Sequence, residues 1–264
     1  MVEKDYGIPK IIHCVWFGRN PYSNIVKYCM DSWSKYCPEY KMVVWNEDTF
    51  DIDSIPWVKE AYEAKKWAFV SDYVRLYALY NFGGVYIDSD VELLKPLNHL
   101  LSENDAFTGY EDGIWIPAAI MASKQHNEWI KLLLSYYDER HFLLENGDYD
   151  QKENTKIITE ITKKFCGFKL GDKKITFGNV LLLPSDAFQP YKKQQFDLNN
   201  TENIDRIHKF YDIDLKKTYA IHHCTGSWDD NGNSIIARVK AIIRKIFPRM
   251  VVEKMRMIYY KFQK

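Results

Sequence analysis

Asp88 and Asp90 stand one residue apart behind a short hydrophobic run, in the order Val85, Tyr86, Ile87, Asp88, Ser89, Asp90. In an extended chain side chains alternate faces, so the two carboxylates are expected to point the same way. Carboxylates that close repel one another. The arrangement is stable if both are solvated or if a divalent cation sits between them, and oxygen ligands suit Mg²⁺ or Mn²⁺. The tripeptide D-x-D is frequent and also opens ordinary surface loops. Here it follows Gly83, Gly84 and a strand-like segment, and open α/β sheets bind ligands at the carboxyl ends of their strands. That context points to a site for a metal and a diphosphate.

The elements that must position this pair are legible around it. Trp67 to Phe82 contains no Pro or Gly, and Val70, Val74, Tyr77 and Ala78 recur at helical spacing. Gly83 and Gly84 stop that helix, since glycine takes a positive φ without steric cost. Val85 to Asp88 then reads as a buried strand. Within the helix, Asp72 and Arg75 are three apart and share a face. Alone they would form an ordinary surface ion pair with Ser71 as a cap. The aspartates on the next strand make them candidates for the site as well.

Upstream, Ile8 to Gly18 reads as a first strand ending at a glycine turn, with Trp16 and Phe17 at its carboxyl end, where a nucleotide base could lie. A helix is expected from Asn20 to Tyr36, a strand from Tyr40 to Trp45, and a helix from Ile55 to Lys66 with Pro56 in its first turn. This βαβα order opens a nucleotide-binding α/β half. Downstream, Val91 to Leu97 is expected to lead away from the site. Strands are expected at Asp105–Tyr110 and Ile114–Ala122, helices at Gln125–Tyr137 and Asn154–Phe165, and a polar loop between them from His141 to Lys152. Ile175 to Leu183 alternates weakly, and Ala187 to Asn203 reads as irregular. Tyr219 to His223 has a strand's composition and runs into Cys224, Thr225, Gly226, Ser227 and Trp228. A histidine there would complete a metal shell. His222 and His223 face opposite ways in a strand, so only one of them fits that role.

The chain of 264 residues is 46% hydrophobic and 27% charged, which fits one globular domain with a small appendage. The five cysteines are scattered without C-x-x-C, which reads as reduced thiols rather than structural zinc. The first residues lack an apolar signal core, and no run of about 18 apolar residues occurs. A cytoplasmic protein is therefore expected. The formal net charge of zero hides an asymmetry: residues 234–264 carry nine Lys or Arg and one Glu, a net of +8, against 27 basic and 35 acidic residues elsewhere. At about 100° per residue, Ile235, Ile236, Val239, Ile242, Ile243, Ile246 and Phe247 fall on one face, opposite Arg238, Lys240, Arg244 and Lys245. Such a tail is expected to lie on an anionic membrane surface at its cytoplasmic face. Docking of the same helix on the acidic body is the alternative.

Three separated pieces together resemble the DXD-type glycosyltransferases of family 32, a group that includes initiating mannosyltransferases and bacterial capsular-polysaccharide sugar transferases. They are I-P-K-I-I-H-x-x-W-F-G, S-D-x-x-R-x-x-x-L-x-x-x-G-G-V-Y-x-D-x-D and A-I-H-H-x-x-x-S-W, and they span Ile8 to Trp228. The resemblance implies a GT-A fold, a Rossmann-like mixed sheet flanked by helices; this domain is expected over residues 1–233, followed by the basic amphipathic helical tail read above at residues 234–264. It also implies retaining transfer of a hexose or N-acetylhexosamine from a nucleoside-diphosphate sugar, a UDP-sugar being favoured. Residue by residue it implies that Trp16 stacks on the base and that Asp72 and Arg75 hold the donor sugar. Tyr86 matches the tyrosine beside the metal motif. Asp88 matches a ribose and metal contact, Asp90 the direct metal ligand and His222 the carboxyl-terminal ligand, while Ser227 and Trp228 close over the diphosphate. Cys224 stands where a bulky aromatic is usual, and Pro117 and Ala118 replace an asparagine-containing segment.

These expectations amount to an enzyme dependent on Mn²⁺ or Mg²⁺ that uses a sugar nucleotide and an oligosaccharide acceptor. The acceptor is expected to be linked to a polyprenyl diphosphate, in capsular or other surface polysaccharide synthesis, with no nucleic-acid partner. The alternatives are a sugar-nucleotide or glycan-binding protein without catalysis and a metal-dependent nucleotidyltransferase, which would require a triphosphate.

Overall fold

The computed structural model describes residues 7–167, 171–193 and 204–225. Ser227, Trp228, the expected boundary at residue 233 and the tail 234–264 lie outside the described residues.

The first half follows the expected order, with shifted ends. Strand β1 (Ile11–Val15) begins beyond Ile8 because Pro9 has no N–H for a ladder. Helix α1 (Asn24–Tyr36) starts later than Asn20, after Pro21, with Ser23 extended at its N-cap. Strand β2 (Lys41–Trp45) and helix α2 (Pro56–Glu63) follow, the latter opened by Pro56 as expected. Helix α3 (Trp67–Phe82) ends at Gly83, and β3 (Gly84–Ile87) leads to the aspartates. Gly83 and Gly84 have φ of 62° and 106°, and a Cβ on Gly84 would lie 2.6 Å from the Ile11 carbonyl oxygen. Glycine is thus required both by the backbone turn and by the close approach of β1.

The remaining elements are β4 (Val91–Leu93), α4 (Asn98–Glu103), β5 (Ala106–Gly109), β6 (Ile120–Ser123), α5 (Glu128–Leu134), α6 (Asn154–Cys166), β7 (Ile175–Phe177), β8 (Val180–Leu183) and β9 (Ala220–His222). The strand expected from Ile114 forms only from Ile120. Pro117 interrupts the segment before it, and the Ile116 N–H goes instead to Thr159 Oγ1 at 2.8 Å. Ile175 to Leu183 is a hairpin, β7 paired antiparallel with β8. Helix α4 was not expected.

Among the described residues, seven strands form a mixed sheet in the order β2-β1-β3-β6-β5-β8-β7, and β4 pairs antiparallel with β9 in a separate two-stranded ribbon. Strand alternation sends side chains of the large sheet into two cores. Val85 and Ile87 pack with Ile12, Cys14, Ile25 and Trp33 on the α1 side, whereas Tyr86 packs with Val70, Val74, Met121 and Trp129 on the side of α3 and α5. With both faces covered, β3 is buried along its whole length, which is why it reads as a continuous apolar run. The architecture is the expected α/β class, a mixed sheet flanked by helices.

Candidate active site

Asp88 and Asp90 leave the carboxyl end of β3 in a turn rather than an extended strand. The Val91 N–H donates to the Asp88 carbonyl at 3.0 Å, closing a turn through Ser89 and Asp90. The expected alternation is therefore not what brings the two carboxylates together. The turn does so, and the β4–β9 ribbon brings up a third group, because Val91 sits opposite His222. One ligand atom from each of Asp88, Asp90 and His222 lies within 4.8 Å of the others.

Each member of this set is oriented by neighbours. Asp90 Oδ2 accepts from both the backbone N–H and the hydroxyl of Thr225 at 2.9 Å, and its Oδ1 lies 3.4 Å from His222 Nε2. Burial pushes the Asp90 carboxyl up, but His222 and the Thr225 donors outweigh it and hold the group well below the usual carboxylate range. Burial raises Asp88, against the opposing effect of Arg75. His222 is opposed by burial yet driven well above the ordinary imidazole value by Cys224 and Asp90. Two carboxylates and an imidazole converging in this way fit a divalent cation by donor chemistry.

Asp72 and Arg75 are not a surface pair. Each is 7% exposed, and Arg75 Nη2 lies 3.1 Å from Asp72 Oδ1 while its Nη1 lies 3.7 Å from Asp88 Oδ1. Ser71 lies inside α3 and does not cap it. Its carbonyl accepts from Arg75 Nε at 3.0 Å and its hydroxyl from Arg75 Nη2 at 3.0 Å. The guanidinium also stands 4.8 Å from the centre of the Tyr86 ring, and the Tyr86 hydroxyl donates to Asp88 Oδ1. The α3 cluster and the aspartate turn form one connected buried network.

Residues 23–107 match the glycosyltransferase sugar-binding region containing DXD motif. Lactosylceramide 4-alpha-galactosyltransferase of Mus musculus is 25% identical over 73% of this chain and 51% of its own length. Inositol phosphoceramide mannosyltransferase 3 of Schizosaccharomyces pombe is 32% identical over 36% of this chain and 28% of its own length. The chain spans about half the length, or less, of these curated relatives. Among solved structures, PaToxG Glycosyltransferase superposes with a TM-score of 0.48 at 17% identity, over 61% of this chain and 71% of that one. The glycosyltransferase GlyE of Streptococcus pneumoniae TIGR4 gives 0.43 at 14%, over 85% and 57%.

Within the DXD region and its surroundings, Asp72, Arg75, Tyr86, Asp88, Asp90 and His222 come together as the sequence reading grouped them. Trp16 is half-buried at the end of β1, its Nε1 donating to the Asn20 carbonyl at 2.7 Å and its ring edge-on to Tyr22 at 5.1 Å. Phe17 is 4% exposed and packs edge-to-face against Phe50 and Tyr62 in the core beside Trp16. Three contributors were missed. Ser71 and Thr225 act through hydrogen bonds that no periodicity reveals. Glu92, read as leading away from the site, is buried at 3% exposure directly behind it. A lone Glu in the apolar run Val91 to Leu94 was the available signal.

Proposed function

We propose that this chain is a metal-dependent retaining glycosyltransferase of family 32. It moves a hexose or N-acetylhexosamine from a nucleoside-diphosphate sugar, a UDP-sugar being favoured, to a glycan acceptor. The observation that carries this reading is the convergence of Asp88, Asp90 and His222 beside the Arg75–Asp72 pair, within and around a region that matches a glycosyltransferase model.

Departure of a diphosphate from the anomeric carbon leaves negative charge on the leaving group and a cation-like sugar. Asp88, Asp90 and His222 would hold Mn²⁺ or Mg²⁺, which supplies Lewis-acid stabilisation of that charge. Arg75 is fixed by Ser71, Asp72 and Tyr86, so its charge is preorganised and costs little reorganisation as the bond breaks. Asp72 accepts hydrogen bonds from hydroxyls of the donor sugar, and Trp16 stacks on the base. By the resemblance to family 32, the acceptor hydroxyl attacks on the face the diphosphate leaves, its proton passing to the departing diphosphate oxygen as the C–O bond to the diphosphate breaks, which retains configuration.

A lipid-linked acceptor is supported by relatives whose names specify ceramide lipids. We place the reaction at the cytoplasmic face of a membrane, with residues 234–264 attaching the protein to anionic lipid and a polyprenyl-diphosphate oligosaccharide as acceptor in capsular or other surface polysaccharide synthesis. The deciding experiment is a panel of sugar nucleotides scored by hydrolysis and thermal stabilisation with Mn²⁺ and with chelator. Metal-dependent release of one sugar supports the reading. Stabilisation without turnover across the panel refutes catalysis and leaves a binding protein. For the tail, the full chain should co-sediment with anionic liposomes and be released by salt; equal sedimentation of a chain ending before Ser234 refutes its role.

A further inference from the structure

Two carboxylate–histidine pairs are built on the β4–β9 ribbon. Asp90 pairs with His222 and belongs to the ligand set above, whereas Glu92 pairs with His223 behind it. Glu92 Oε2 accepts from His223 Nε2 at 3.2 Å, and its Oε1 accepts from His208 Nε2 at 2.7 Å and from the Tyr28 hydroxyl at 3.0 Å. His223 is 1% exposed, and its Nδ1 lies 3.1 Å from the Tyr211 hydroxyl. The carboxylate thereby ties together α1, β4, the turn of helix at Ile204–Phe210 and the end of β9.

Among the described residues the ribbon's two strands are three residues each and pair with one another, and Val91, Leu93, Ala220 and Ile221 pack into the core on the α1 side. Backbone bonds from Tyr219 to Ala187 and from His222 to Phe188 hold the outer edge of β9, at 2.7 and 3.2 Å. On the inner edge the His223 N–H donates to the Asp90 carbonyl at 3.1 Å. His223 is therefore bonded to the Asp90 backbone through its own backbone and to Glu92 through its ring, while the residue before it is the ligand His222. A buried carboxylate is costly unless all its partners are in place, and here both oxygens are satisfied by groups from three other segments.

We infer that Glu92 is a positioning residue for the cation site, acting through His223 to fix where β9 holds His222 relative to Asp90. The inference rests on the reading that Asp88, Asp90 and His222 bind a divalent cation. Outer partners of metal sites typically change affinity by about 10–100-fold when removed. The test is Mn²⁺ binding to the full chain without nucleotide, followed by electron paramagnetic resonance of the free ion. It is read beside the melting temperature of the metal-free protein for Glu92→Gln, Glu92→Ala, His223→Ala and the Glu92→Gln/His223→Ala double variant. Glu92→Gln keeps an acceptor for Tyr28 and His208 and loses only the oxygen facing His223, so it serves where Glu92→Ala fails to fold. The expected result is Mn²⁺ binding about ten-fold weaker in folded Glu92→Gln, with the double variant no weaker than His223→Ala alone. Wild-type affinity in Glu92→Gln, even with a lowered melting temperature, makes Glu92 a structural residue only and overturns the inference. Independent losses in the double variant overturn its route through His223. A wild-type chain that takes up no Mn²⁺ overturns the cation reading, and this inference falls with it.

Discussion

Arg75 Nη1 lies 3.7 Å from Asp88 Oδ1, so a helix residue and a turn residue share one buried charge network. The same guanidinium faces Asp72 at 3.1 Å, which places one cation between two carboxylates, the buried Asp72 and the partly exposed Asp88. Burial disfavours every charge here, and only their mutual arrangement keeps the three ionised together.

Arg75→Ala is therefore expected to damage both fold and catalysis. An exposed i,i+3 pair would be worth only about 0.2–0.5 kcal/mol, but removing one partner of a buried pair leaves an uncompensated charge and costs about 3–5 kcal/mol. Arg75→Lys keeps the charge and loses the bonds to Ser71, so it should fold while reducing kcat by orders of magnitude. Urea denaturation and sugar-nucleotide hydrolysis of both variants check this. An Arg75→Ala protein as stable as wild type would contradict the buried network.

Asp90→Asn should abolish metal-dependent hydrolysis and leave the fold intact. The asparagine side-chain oxygen can still accept from Thr225, which now donates to Asp90 Oδ2, but the ligand charge is gone. Circular dichroism should be unchanged and thermal stabilisation by Mn²⁺ lost. Full wild-type turnover after chelation, with metal removal verified by elemental analysis, would refute the cation's role.

The sequence made the first half of this fold legible because each element there carries its own local signal. Trp67 to Phe82 is uninterrupted by Gly or Pro, and Gly83 marks its end. The same signals found β3 and, through its composition, β9. They misjudged what sets the two aspartates side by side, since a turn and an extended strand place Asp88 and Asp90 near one another equally well and the tripeptide does not distinguish them. Adjacent aromatics at a strand end look alike in sequence until packing chooses which one is buried, here Phe17 beside the half-buried Trp16. Glu92 carried only the weak signal of a lone acid in an apolar run, because its partners Tyr28, His208 and His223 come from distant parts of the chain and tertiary hydrogen bonds leave no periodicity.

Gly84→Ala isolates the close approach of β3 to β1. The new Cβ would lie 2.6 Å from the Ile11 oxygen at a φ of 106°, so backbone strain of about 1–3 kcal/mol is joined by a clash with the backbone of β1. Gly147→Ala, with a φ of 86° and nothing within 4 Å, supplies the strain without the clash. The Gly84 variant should lose clearly more stability in urea than the Gly147 variant, and its Mn²⁺ binding should weaken because β3 carries the aspartates. Equal losses would remove the packing argument.

With Mn²⁺ kept saturating at every pH, so that protonation of the ligand His222 does not limit the rate, the acid limb of the pH profile should belong to Asp72. Burial pushes its carboxyl up from 3.8 to about 6, with Arg75 opposing and Asp88 adding to the rise. A carboxylate that accepts bonds from donor-sugar hydroxyls must be ionised, so kcat/KM should fall as pH drops through about 6, and Asp72→Asn should show a low rate without that limb. Stability moves the other way. The folded state holds the Asp72 proton more tightly than the unfolded chain, so this group's contribution to stability is present below pH 3.8 and is lost as pH rises to about 6. In metal-free protein the stability difference, Asp72→Asn minus wild type, should therefore become more favourable to the variant between pH 4 and pH 6.5, as read from urea midpoints at constant ionic strength. A difference that is flat across this window, together with an acid limb that survives in Asp72→Asn, would assign the titration to another group.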